Sequence, residues 1–98
     1  MTRYASGRRI EYKAIEQLKA EGAVYAGRTA GSHTKFDVIA VFADPPHSRW
    51  IQCKSGCKAT INRERKNWIP PELPPFHYPF LYLWETGRGK FEIIKKEG

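Results

Sequence analysis

Cysteine is scarce in this chain, and long apolar runs are missing. Cys53 and Cys57 are its only two cysteines, too few for a disulfide scaffold. Their C-x-x-x-C spacing is not the C-x-x-C of zinc ribbons or thioredoxin-like sites. With His33, His47 and His77 scattered elsewhere, both read as structural thiols. No stretch approaches the roughly 20 apolar residues a membrane helix needs, so no membrane association is expected. The opening Met-Thr-Arg-Tyr-Ala-Ser-Gly-Arg-Arg has no apolar core and does not read as a signal peptide, which makes the cytoplasm the expected location. Acidic residues are also few: 10 Asp and Glu against 17 Lys and Arg, a net charge of +7. That imbalance favours a polyanionic partner, and nucleic acid is the commonest.

What is present fits one folded domain over residues 1–98, with 41% hydrophobic residues supplying a single modest core. Ile10, Ala14, Ile15 and Leu18 form one stripe at helical spacing, which predicts a helix over 7–21 with Ser6 as N-cap and Gly22 as the stop. Lys13, Glu16, Lys19 and Glu21 form its solvated face. A short strand follows at 23–26, then a loop over 27–35 rich in Gly, Ser and Thr with basic residues interleaved, a composition suited to phosphate contacts. Apolar runs at 38–42 and 50–52 read as a β-hairpin, with 43–48 as a mid-length loop because Asp-Pro-Pro does not continue a strand. A short basic helix is expected at 59–68, then a Pro-rich extended connector at 69–76. Residues 80–84 and 90–94 read as a second hairpin around a Gly-containing turn, the first strand central and the second an edge. The expected fold is α/β: a mixed central sheet of about five strands flanked by the two helices.

The hairpin at 38–52 brings chemistry together. Asp37 stands at the mouth of its first strand, and Gln52 and Lys54 near the end of its second, so all three lie at one sheet end. Residues i and i+2 share a face, so Gln52 and Lys54 point one way and Cys53 the other. Upstream lie Glu11 on the helix and Arg28-x-x-Gly31-Ser32 in the loop. In this order, Glu, Arg-x-x-Gly-Ser, Asp and Gln-x-Lys resemble the core of the PD-(D/E)XK nuclease superfamily, and most closely the archaeal-type Holliday-junction resolvases. The resemblance covers about the first half of the chain. It implies a restriction-endonuclease-like sheet and metal-dependent nicking of symmetric strands in a four-way DNA junction. Two symmetric nicks demand two active sites, hence a homodimer with two-fold symmetry. Trp50, Trp68, Tyr78 and Trp84 include candidate anchors for its interface, or belong to the core.

Phosphodiester hydrolysis needs an activated water, a neutralised transition-state phosphorus and a stabilised leaving alkoxide. Mg²⁺ held by oxygen ligands meets all three needs, and Mn²⁺ is expected to substitute. The candidate ligands are Glu11, Asp37, the Gln52 amide oxygen and the Cys53 main-chain carbonyl. Lys54 is the expected partner of the attacking water. By resemblance, the family's catalytic acids fall on Glu11 and Asp37, its lysine on Lys54 and its serine on Ser32. Arg9 and Arg28 correspond to residues that hold the phosphates of the cut strand. Arg8, His33, Lys35, Lys58, Arg63 and Arg65 complete the candidate DNA-binding set. Two positions depart from the pattern: Gln52 stands where the family usually has Glu, and Phe36 where it has Pro. Gln52 removes a negative charge from the metal site. The alternatives are therefore a DNA-binding module of the same fold with weak or no catalysis, or a related nuclease acting on other branched or nicked DNA.

Overall fold

The apolar stripe of the first helix decides how the domain is layered. The computed structural model describes residues 3–29 and 36–95. Its elements are α1 (Arg3–Ala20), β1 (Tyr25–Arg28), β2 (Val38–Ala43), β3 (Pro46–Gly56), α2 (Lys58–Asn67), β4 (His77–Glu85) and β5 (Phe91–Lys95). Ile10, Ala14, Ile15 and Leu18 are all buried, and α1 packs across β1, β2 and β3. The helix begins well before residue 7, so Ser6 lies inside it and not at its cap. It ends as expected. The Gly22 N–H reaches the Lys19 carbonyl at 3.1 Å and the Ala23 N–H the Leu18 carbonyl at 3.1 Å. That pair of bonds is a Schellman stop, and it needs the positive φ of 110° that Gly22 adopts.

The five strands form one sheet in sequence order, β1-β2-β3-β4-β5. β3 and β4 are parallel and all other pairs antiparallel, so the sheet is mixed. The parallel step requires a crossover, and α2 with the Pro-rich segment supplies it. Alternation then sorts the strand residues between two faces. Val38, Ala40, Phe42, Ile51 and Tyr82 join the α1 cluster, with Cys53 packed against it. Leu81 and Leu83 join Ile61 of α2, with Trp68 and Ile94 against them. The result is α1, sheet and α2 in three layers. Among the described residues no helix is long and apolar enough to cross a membrane.

Three strands depart from expectation; β4 spans His77–Glu85, nine residues where five were expected. β1 lies two residues later than 23–26. β3 runs for 11 residues where three were expected, because the Pro-Pro pair shortens the loop instead of lengthening it. Asp44 and Pro45 form the whole turn, the peptide between them is cis, and Pro46 already pairs with Ala43. Proline is tolerated at the first residue of a strand. β4 is central as expected, with Leu81, Tyr82 and Leu83 at most 1% exposed, and β5 is an edge.

Tyr82 carries an anomaly. Its ring is fully buried, and among the described residues its hydroxyl meets no hydrogen-bond partner. Arg49 acts on it by charge and as a hydrogen-bonding neighbour, but without a bond of ordinary geometry, its guanidinium being committed to Glu21 and to the faces of Phe42 and Phe80. Burial pushes the phenol up to about 12. The folded state thus holds a proton that the unfolded phenol, near 10, has released, and stability contributed by the neutral phenol is lost as pH rises above about 10. Tyr82→Phe removes an orphaned hydroxyl without emptying the site. We expect urea unfolding at pH 7 to show a gain of about 1 kcal/mol, with a smaller loss of stability above pH 10.

Candidate active site

The site forms because β3 outlasts β2. Val38 pairs with Ile51, and the Asp37 N–H still reaches the Ile51 carbonyl at 2.8 Å. Beyond this point β3 has no β2 partner, and the Asp37 carboxylate takes the place of a strand: its Oδ2 accepts the Cys53 N–H at 2.8 Å. N–H and C=O of one strand residue point to the same side, so the Cys53 carbonyl also faces the gap where β2 has yet to begin. On the other side of β3, Gln52 and Lys54 pair in register with Leu81 and Leu83, which places their side chains on the α2 face. Cys53 points the opposite way, into the α1 cluster.

Glu11 reaches the same sheet end from α1. Ile10, Glu11, Asp37, Gln52, Cys53, Lys54 and Ser55 line one cleft of about 310 Å³. Five of these, Glu11, Asp37, Gln52, Cys53 and Lys54, come from three separate segments and were expected together. Ser55 and Ile10 were not, although Ser55 follows directly from the length of β3.

Glu11, Asp37 and Gln52 each already accept a hydrogen bond from a protein donor. Arg28 Nε donates to Glu11 Oε1 at 2.6 Å, and the guanidinium also lies over the Tyr12 ring. Trp68 Nε1–H donates to Gln52 Oε1 at 3.2 Å. Asp37 is held by the Cys53 amide. Its carboxyl nevertheless lies above the usual carboxylate range, chiefly because burial disfavours the anion; the Cys53 N–H opposes this, the Glu11 carboxylate adds to it, and Lys54 and Arg28 oppose it. Burial likewise pushes the Cys53 thiol well up, so Cys53 is inert, as a structural thiol should be.

Among the described residues no three His, Cys, Asp or Glu side chains come together as a metal site. The donor set at this cleft is two carboxylates and main-chain or amide oxygens. These are hard ligands of the type Mg²⁺ takes, and water commonly completes its shell.

The basic residues divide. Arg8 and Arg9 are exposed on α1, within a turn of Glu11, and Arg28 sits on Glu11 itself. Lys58 and Arg63 are exposed on α2. Arg65 is committed within the fold: it grips both Glu92 oxygens at 2.7 and 2.5 Å and Asn62 at 2.7 Å, tying α2 to β5. Ser32, His33 and Lys35 lie outside the described residues. Of the four aromatics raised as interface anchors, Trp50 meets Phe36 and His77 edge-on, Trp68 packs on the α2 cluster and Trp84 meets Phe91. Tyr78 is 46% exposed.

No family model, curated protein or solved structure matches the chain.

Proposed function

We propose that the chain is a metal-dependent DNA endonuclease with a restriction-endonuclease-like sheet, acting on four-way junctions as a two-fold dimer. One observation carries the reading: a helix-borne carboxylate, a strand-mouth carboxylate and a Gln-x-Lys pair line a single cleft at one end of a mixed sheet. Glu11, Asp37 and the Cys53 carbonyl are the residues that would hold Mg²⁺. Such an ion, when bound, supplies a Lewis acid that lowers the pKa of water and offsets charge on phosphorus.

The chain's own groups do the rest. Asp37 is fixed by the Cys53 amide, so its second carboxylate oxygen has a defined direction. Lys54 Nζ supplies a proton donor and a positive charge beside the phosphorus. Arg28 neutralises Glu11 in the resting protein, and its guanidinium is suited to a phosphate when DNA arrives. Arg8 and Arg9 extend that positive edge along α1. Junction choice would come from the spacing of two such clefts in a dimer and not from base contacts.

A second reading has an observation of its own. Glu11, Asp37 and Gln52 all have protein donors on their oxygens, as in a DNA-binding module that needs no ion. Cleavage of a labelled four-way junction in Mg²⁺, beside linear duplex and an EDTA control, separates the two. The expected result is paired nicks in opposing strands, absent in EDTA, with Lys54→Met slowing single-turnover cleavage about 10²–10³-fold. Junction binding that is equal in EDTA and Mg²⁺, with no cut in Mg²⁺ or Mn²⁺, would establish the binding module instead.

A further inference from the structure

The contact between Trp68 and Gln52 fixes more than a side-chain position. An indole N–H is a donor only, so the amide atom facing it must be the oxygen. The usual ambiguity between the two ends of a carboxamide is thereby removed. Trp68 is itself held, packed against the Ile61, Leu81 and Leu83 cluster just past the end of α2. With Oε1 turned to the indole, the NH2 group is the end of Gln52 left for the cleft that Gln52 lines with Asp37 and Lys54. Two residues on and on the same face, Lys54 also carries only donors.

We infer that Gln52 acts through its NH2 as a hydrogen-bond donor to a non-bridging phosphate oxygen of DNA, not through its oxygen as a metal ligand, and that Trp68 is the positioning residue that sets this orientation. The identity of the anion rests on the nuclease reading; the orientation does not. The cleft then divides by chemistry. Glu11 and Asp37 offer anionic oxygens, while Gln52 and Lys54 form a donor pair for the phosphate. A glutamate at position 52 would present the phosphate with a like charge. Relative to the Glu of the nucleases the chain resembles, Gln52 would exchange a metal ligand for a substrate contact.

Two titrations test this on the full chain. Mn²⁺ affinity is measured by calorimetry without DNA, and affinity for a fluorescent four-way junction is measured in EDTA. Gln52→Ala should leave Mn²⁺ affinity within about twofold and weaken junction binding about fivefold. Gln52→Glu should tighten Mn²⁺ about tenfold and weaken junction binding further. Trp68→Phe keeps an aromatic ring, smaller than the indole, and removes the N–H, freeing the amide to turn. It should tighten Mn²⁺ while weakening the junction, an opposition that a general loss of packing would not produce. A Gln52→Ala variant that loses Mn²⁺ affinity fivefold or more with junction binding unchanged would overturn the inference, as would one that changes neither. If the wild-type chain binds no Mn²⁺ and cuts nothing, yet Gln52→Ala still weakens the junction in EDTA, the nuclease reading fails and the donor role stands.

Discussion

Asp37→Asn is expected to abolish junction cleavage and, in the same protein, to raise the melting temperature. The first half follows from the proposed role. Asn keeps the size of Asp and an oxygen that still accepts the Cys53 N–H, but it lacks the anionic oxygen that a hard cation prefers. A loss of at least ~10³-fold in single-turnover rate is expected, on the order of 4 kcal/mol of transition-state stabilisation. The second half follows from the surroundings. Asp37 is half-buried, its carboxyl is raised mainly by that burial, and the Glu11 carboxylate adds repulsion that Lys54 and Arg28 only partly offset. An acid whose folded pKa exceeds its unfolded value is protonated more readily in the fold. Once the pH lies above that raised folded value, the charge therefore costs stability. Removing the charge while keeping the acceptor should relieve that cost. Thermal unfolding at pH 7 without metal should show the rise, and Asp37→Ala, which also orphans the Cys53 amide, should not. A destabilised Asp37→Asn with full cleavage would make the residue a strand cap and nothing more.

This opposition between activity and stability also explains why the site was legible in the sequence. Asp37, Gln52 and Lys54 gather a carboxylate, an amide and an amine at one end of the hairpin, beside the apolar alternation that Val38, Ala40, Phe42 and Ile51 keep. Period-two alternation placed Cys53 opposite Gln52 and Lys54, and the structure has Cys53 in the α1 cluster and Gln52 against Trp68. The helical stripe of α1 and its glycine stop were legible for the same reason: each is a local, periodic or steric rule. What was not legible depends on partners far apart in the chain. Arg65 carries the same charge as Arg63, and only the fold brings Glu92, 27 residues away, onto it. Arg28 read as a phosphate ligand with nothing to indicate that it rests on Glu11, 17 residues earlier. Trp68 gave no signal for Gln52. The length of β3 was hidden by a rule applied too strictly: Pro-Pro ends a strand in its interior, but it can begin one.

The largest stability effect is expected at Leu83, which has no part in the chemistry. Leu83 is 1% exposed and belongs to a small cluster of Ile61, Leu81 and itself, with Trp68 and Ile94 at its border. That cluster holds α2 on the sheet. α2 has only 10 residues, and its N-cap Cys57 makes no side-chain capping bond. A helix this short is not stable alone in water, so its order depends on the apolar contact beneath it. Leu83→Ala deletes the middle of that contact, where Ile61 cannot collapse far because β4 is pinned by β3 and β5 on both sides. A cost of about 3 kcal/mol is expected, a large part of the roughly 5–15 kcal/mol available to a domain. Val41→Ala is the control: Val41 lies on β2 at 38% exposure, and its truncation should cost only about 0.5 kcal/mol. Urea unfolding followed by tryptophan fluorescence would measure both, with an unchanged m-value confirming that the native state alone is affected. Because Trp68 borders the cluster, Leu83→Ala should also loosen the hydrogen bond on Gln52 and shift junction affinity in the direction of Trp68→Phe. Leu83→Ala costing less than about 1 kcal/mol would mean that α2 is held by the Arg65–Glu92 clamp, and that the second core is nominal.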